Sequence, residues 1–198
     1  MSYETLFALC AFALVTSITP GPSNLMLLAS GANFGFLPTV PQVLGITAGF
    51  TSLLLAVGLG LGALLAALPA LHVGLKLAGG AYLLYLAWRI ATSRAVGKGG
   101  AIGGRPLSFV ESAAFQWVNP KAWVVALAAM AVYARPDAPF ASIALVCAVF
   151  ALVNLPTVSV WAAFGVALRG LLDHPARLRA FNVVMGVLLA ATLWPMVA

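Results

Sequence analysis

The sequence predicts an all-α integral membrane protein, six transmembrane helices arranged as an inverted 3+3 repeat with proline-broken helices 1 and 4. Three observations carry that expectation. First, 63% of the 198 residues are hydrophobic and only 7% charged, against about 25% charged in an ordinary soluble domain. Second, no charged residue occurs between Glu4 and Lys76, between Asp137 and Arg169, or after Arg179, and a helix needs about 20 apolar residues to cross a bilayer. Third, two long apolar runs are interrupted by proline motifs 100 positions apart, Thr19-Pro20-Gly21-Pro22-Ser23-Asn24 and Gln116-Trp117-Val118-Asn119-Pro120-Lys121. In lipid, the carbonyls freed by a proline must find partners, so such breaks are tolerated where protein or a water-filled cavity surrounds them. Paired breaks in corresponding halves point to a transporter's binding site.

The first span is expected over about 5–33, long for one straight crossing, with the TPGPSN break inside it. A short uncharged turn, 35–41, leads to a second span over about 42–68, where Gly45, Gly49, Gly58, Gly60 and Gly62 permit close helix approach. The third, about 71–92, is bounded by Lys76 and Arg89 and carries Tyr82, Tyr85 and Trp88 at helical spacing. Trp88 reads as an interfacial anchor. Tyr82 and Tyr85, nearer the middle, read either as core packing or as substrate contacts.

Residues 93–105, rich in glycine and basic side chains, read as a flexible cytoplasmic loop that divides the single membrane domain 1–198 into halves, 1–92 and 108–198, around a connection at 93–107. A fourth span follows over about 108–133 with the WVNPK break. The fifth, about 140–168, holds Asn154-Leu155-Pro156 as a third expected interruption, and the sixth covers about 180–197.

The formal charge of +6 lies beside spans, which marks cytoplasmic ends and carries no nucleic-acid signal. Seven Lys and Arg fall on the side of the glycine-rich loop and two, Lys76 and Arg135, on the other. Six spans with that bias place both termini outside. The start, Met-Ser-Tyr-Glu-Thr, lacks the positive region of a secretory signal and is expected to persist in the mature protein. Pro20 pairs with Pro120 at one offset, and Gly80 with Gly186 and Trp88 with Trp194 at another; with three spans on each side of the basic loop, these matches support an inverted repeat. Cys10 and Cys147 lie in apolar segments without CxxC spacing, so neither a disulfide framework, a metal site nor any cofactor is indicated. His72 and His174 are isolated and read as interfacial residues without a role.

In the first break Thr19 is expected to cap a half-helix that starts at Pro20, with Gly21 and Pro22 leaving backbone accessible and Ser23 and Asn24 adding polar groups. In the second, Asn119 is the equivalent cap, Pro120 the equivalent first residue, and Lys121 adds a full charge. Each break lies roughly 14 to 22 Å along its span at 1.5 Å per residue, near the middle of a core of about 30 Å. Helix N-termini at that depth are receptors for a carboxylate. Asn154 reads as site lining or as an interhelical hydrogen-bonding residue. No acid lies deep in a span, which removes the usual partner of a cationic substrate and the usual proton carrier.

The motifs TPGPSNLMLLASGANFG, GAYLLYLAWRI and the Phe109–Ala122 stretch ending in QWVNPKA resemble the LysE/RhtB bacterial amino-acid exporters over essentially the whole chain. The resemblance implies an inner-membrane exporter driven by the proton gradient, most like the branch that moves neutral solutes such as cysteine, O-acetylserine, threonine or homoserine. The partners it implies are a small amino-acid substrate, protons and the lipid bilayer; assembly into a homo-oligomer stays open. A membrane thiol electron carrier of the same superfamily would need a cysteine pair at equivalent positions, where Cys10 faces Val110 instead. A passive channel is the remaining alternative, and no hydrolase constellation lies at membrane depth.

Overall fold

A computed structural model of the chain describes residues 2–93 and 105–194, with the side chains of 65, 66, 69–72, 75 and 76 outside the description. The expectations for the glycine-rich loop, His72, Lys76 and the chain's last residues fall outside the described residues. Within them the regular structure is helical: α1 (Tyr3–Ile18), α2 (Pro22–Phe34), α3 (Phe36–Ala56), a π-helical turn (Val57–Leu61), α4 (Gly62–Ala67), α5 (Pro69–Ala91), α6 (Phe109–Gln116), α7 (Pro120–Tyr133), α8 (Pro139–Ala167), a 3-10 turn (Arg169–Leu171) and α9 (Pro175–Ala191). Among the described residues two helices are long and apolar enough to cross a membrane, Phe36–Leu64 and Pro139–Leu171; α1 and α2, bent by 56° at their junction, make a third, broken one. Leu77–Ala91 and Pro120–Tyr133 are shorter apolar helices.

Local chemistry sets the ends. Ser2 caps α1 by accepting from the Thr5 N–H, with Glu4 in the first turn where a negative charge suits the helix dipole. α6 opens on a capping box: the Glu111 N–H donates to Ser108 Oγ at 3.2 Å and the Ser108 N–H to Glu111 Oε2 at 2.7 Å. Glu111 also accepts from Arg105 at 2.6 and 3.1 Å, which raises the Arg105 guanidinium above its ordinary range. His174, read from sequence as having no role, caps α9 by accepting from the Ala176 N–H at 3.3 Å. Gly35, at φ 94°, reverses the chain between α2 and α3 in a conformation that favours glycine.

Two expected breaks are absent. α8 runs unbroken through Pro156, and the Thr157 hydroxyl donates to the Val153 carbonyl at 2.6 Å beside it. α3 begins at Phe36 and passes through Pro41, where a turn was expected. In both cases the neighbouring turns and helices hold the segment, which is how proline persists inside apolar helices.

Packing is close where glycines face neighbours. α3 runs alongside α6 in the same direction, Gly45 against Phe109 and Gly49 against Ala113, and a Cβ on Gly45 would lie 2.9 Å from the Phe109 Cα. α5 and α9 run in opposite directions, with Gly80 facing Leu193 and Gly186 facing Ala87 and Ala91. Beyond these, α8 packs on α1, α2 and α3. The largest apolar cluster joins α1, α3, α7 and α8 through Leu9, Phe50, Leu53, Ala126, Met130 and Phe150. Phe150 meets Phe50 edge-on, centroids 5.5 Å apart. One end of the bundle gathers the α2–α3 turn, Ser93, Arg105 and the start of α9: the Asn182 amide donates to the Ser93 carbonyl at 2.9 Å and to Asn33 Oδ1 at 3.1 Å.

Candidate functional site

At the break between α1 and α2, three successive carbonyls are claimed by side chains from α2, α7 and α8. Asn24 Nδ2 donates to the Ser17 carbonyl at 2.8 Å and to the Thr19 carbonyl at 2.9 Å. Trp161 Nε1, from α8, donates to the Ile18 carbonyl at 3.2 Å. Lys121 Nζ, from α7, reaches the Thr19 carbonyl at 2.5 Å. Side chains thus stand in for the missing helical donors at these three carbonyls.

The expected cap is corrected here. The half-helix starts at Pro22, not Pro20, with Gly21 as its N-cap and no side-chain cap. Thr19 closes α1 instead, its hydroxyl turned back to donate to the Val15 carbonyl. Both prolines suit a first helical position; the extended backbone at Gly21 (φ −171°) decides between them. A side chain at Gly21 has no room, since a Cβ there would lie 2.7 Å from Lys121 Cδ. At the second break the expectation matches: Asn119 Oδ1 accepts from the Lys121 N–H at 3.1 Å and Pro120 is the first residue of α7.

A cavity lies where the two breaks meet, walled by Thr16, Ser17, Gly21, Ser23, Asn24, Ile46, Phe50, Gln116, Asn119, Lys121, Ala122, Val125, Asn154 and Val158. Of the residues singled out from sequence, Gly21, Ser23, Asn24, Asn119, Lys121 and Asn154 line it. Thr19 contributes only its carbonyl to Lys121, while Pro20, Pro22 and Pro120 shape the backbone without lining it. Tyr82 and Tyr85 lie elsewhere: Tyr82 packs at 6.0 Å from both Phe115 and Tyr85, and Tyr85, exposed, stacks toward Trp88. Their helical spacing put them on one face of α5, and that face does not meet the cavity.

Two polar clusters line the walls. Asn119 Nδ2 donates to Ser23 Oγ at 3.1 Å and to Gln116 Oε1 at 3.3 Å, and Gln116 Nε2 donates to Ser23 Oγ at 3.1 Å. Across the cavity Thr47 Oγ1 donates to Asn154 Oδ1 at 3.0 Å, and Asn154 Nδ2 to Ser17 Oγ at 3.2 Å. Gln116 and Ser17 were not picked out from sequence as site residues; the available signal for Gln116 was a buried carboxamide about one turn before Asn119. Asn154 serves both expected roles, lining the cavity and bonding two other helices.

Lys121 sits half-buried within the first turn of α7, where the helix dipole disfavours a cation by about 0.3–1 kcal/mol. Among the described residues it has no carboxylate partner, and no acid lines the cavity. No group of three His, Cys, Asp or Glu side chains suited to a metal occurs among them either. An ammonium beside the N-termini of α2 and α7, with neutral carboxamides and hydroxyls around it, suits an anion, above all a carboxylate.

Apolar helices whose breaks converge on a polar, cation-bearing cavity have the architecture of a multi-pass membrane transport protein. The chain belongs to the LysE type translocator family, whose profile matches residues 14–192. It is 33% identical over 138 residues to the cysteine/O-acetylserine efflux protein of Escherichia coli (strain K12), covering 69% of each chain. It is 34% identical over 133 residues to the protein of the same description from Shigella flexneri serotype 5b (strain 8401), covering 67% of each. No solved structure matches.

Proposed function

We propose that the chain exports a small neutral amino acid or close derivative, of the size of cysteine, O-acetylserine, threonine or homoserine, across the bacterial inner membrane, driven by the proton gradient. The observation that carries this reading is Lys121 beside two helix N-termini in a cavity without an acid. The ammonium and the free N–H groups take the substrate carboxylate; Asn119, Gln116, Asn24 and Asn154 take its ammonium and side chain by their oxygens. A lysine or arginine side chain would bring a second cation with nothing to receive it, and burying an unpaired charge is costly. The efflux proteins among the relatives agree with a small substrate.

Helix pairing supports the inverted repeat. α3 pairs with α8 and α5 with α9, while the broken pair α1–α2 packs on α8 as the broken pair α6–α7 packs on α3. Arg89, Arg105, Arg169, Arg177 and Arg179 all belong to the end that carries Ser93 and the start of α9, which favours that end as cytoplasmic and both termini as external. Exposed apolar rows on α1, α8 and α9 meet lipid or a further copy of the chain.

The test is efflux of labelled serine, cysteine, O-acetylserine, threonine, homoserine and lysine from preloaded cells that express the chain, with and without an uncoupler. Export of the neutral solutes against their gradient, abolished by the uncoupler, is expected. Uncoupler-insensitive downhill flux makes the chain a channel, and preference for lysine overturns the substrate class.

A further inference from the structure

A second cleft opens at the basic end of the bundle between α2, α3, α5 and the segment that leads into α6. Arg89 and Gln42 are in its wall, with Ser30, Asn33, Ser93 and Arg105. Gln42 is fully buried, and neither its Nε2 nor its Oε1 has a hydrogen-bond partner among the described residues. A carboxamide left unpaired in the interior is costly, and native proteins rarely keep one without a use.

The charges are equally uneven. Arg105 is taken up by Glu111 in a two-pronged ion pair. Arg89 donates to the Arg105 carbonyl at 3.3 Å and has no carboxylate partner among the described residues. The chain has four acids, Glu4, Glu111, Asp137 and Asp173, and none lies in 94–104. The wall of the cleft therefore holds a guanidinium without a carboxylate partner together with a buried neutral group that can donate and accept.

α2 lines both this cleft and the central cavity: Ser23 and Asn24 face the cavity, Met26, Ser30 and Asn33 the cleft. Ser23 and Ser30 are two helical turns apart, about 10 Å along the axis.

We propose that this cleft is a second substrate site, which holds the amino acid before it passes to Lys121: Arg89 takes the carboxylate and Gln42 the ammonium or the polar side chain. The proposal rests on the export reading above and adds to it a second binding position. An anionic lipid headgroup would also meet Arg89, but has no use for a buried carboxamide that both donates and accepts.

The test is equilibrium dialysis of labelled O-acetylserine and labelled serine against the purified full-length protein in phosphatidylcholine nanodiscs. The parent protein is expected to bind two equivalents. Lys121→Met removes one and Arg89→Gln the other, while Arg89→Lys keeps it more weakly. Gln42→Leu, matched in size, weakens the Arg89-dependent equivalent about tenfold. In inside-out vesicles Arg89→Gln raises KM about tenfold with little change at saturation. One equivalent in the parent protein, or two in Arg89→Gln, overturns the second site while leaving the export reading intact. So does an Arg89 dependence seen only when anionic lipid is added, which makes the cleft a headgroup site. Arg89-dependent binding that ignores Lys121 overturns the central-site reading alone, and failure of both ligands to bind overturns both.

Discussion

Lys121→Met removes the charge from the central cavity and keeps most of the side chain's bulk. The ammonium's one hydrogen bond among the described residues is to the Thr19 carbonyl, at 2.5 Å. That carbonyl keeps the Asn24 amide at 2.9 Å, so the substitution orphans no buried acceptor, and expression and folding are expected to survive. What is lost is a charge-assisted hydrogen bond to the substrate carboxylate, worth about 1.5–3 kcal/mol. Tenfold per 1.4 kcal/mol turns this into a loss of affinity of roughly 10- to 150-fold. The assay is KM for efflux from proteoliposomes, alongside equilibrium binding of the same labelled solute. Arg135→Gln is the control, because its ion pair with Asp137 is exposed and lies in the α7–α8 loop; exposed pairs contribute about 0–1 kcal/mol. If Lys121→Met exports with an unchanged KM, the carboxylate does not rest on Lys121 and the α6–α7 break serves the fold alone.

Three further outcomes are expected. Asn154→Leu removes the bridge from Thr47 to Ser17 and should cut both binding and thermal stability, a combination that fluorescence-detected gel filtration and dialysis resolve; loss of neither would deny Asn154 both roles. Gly45→Val drives two methyl groups into the Phe109 backbone and should lower the apparent Tm by several degrees or abolish folding, an overpacking cost of about 1–3 kcal/mol, whereas Gly74→Val, with no neighbour within 4 Å among the described residues, should leave Tm close to the parent. Reporter fusions at Ser93 and Pro175 should report cytoplasm and one at Asp137 the outside; the reverse pattern would invert the assigned topology.

The breaks were legible because proline and its neighbours act locally: Asn119, Pro120 and Lys121 occupy the cap, first and second positions that sequence alone assigns. Where two prolines compete, as at Pro20 and Pro22, local rules do not choose, and Thr19 was given a cap that falls to Gly21. Pro41 and Pro156 carried the same local signal and yet interrupt nothing, because neighbouring helices hold α3 and α8 through them. Tyr82 and Tyr85 were legible as a pair on one face of a helix, but which face meets the cavity depends on how α5 packs against α9, and periodicity does not encode that. Gln116 was visible as a residue and invisible as a site member until α6 brought it against Ser23. The second cleft had no sequence signal, since Gln42 and Arg89 are 47 positions apart.

The three carbonyls released where α1 meets α2 are gripped by Asn24 from the next helix, Trp161 from α8 and Lys121 from α7. Prolines thus choose where this chain bends, and distant neighbours choose the direction in which it points. The six-residue motif is consequently not a portable module. Grafted into an isolated apolar helix it would keep the Asn24 bonds but leave the Ile18 carbonyl bare and the angle unfixed, free to flex or to draw in water, and anyone wishing to transplant the cavity would have to carry Trp161 and Lys121 along with it.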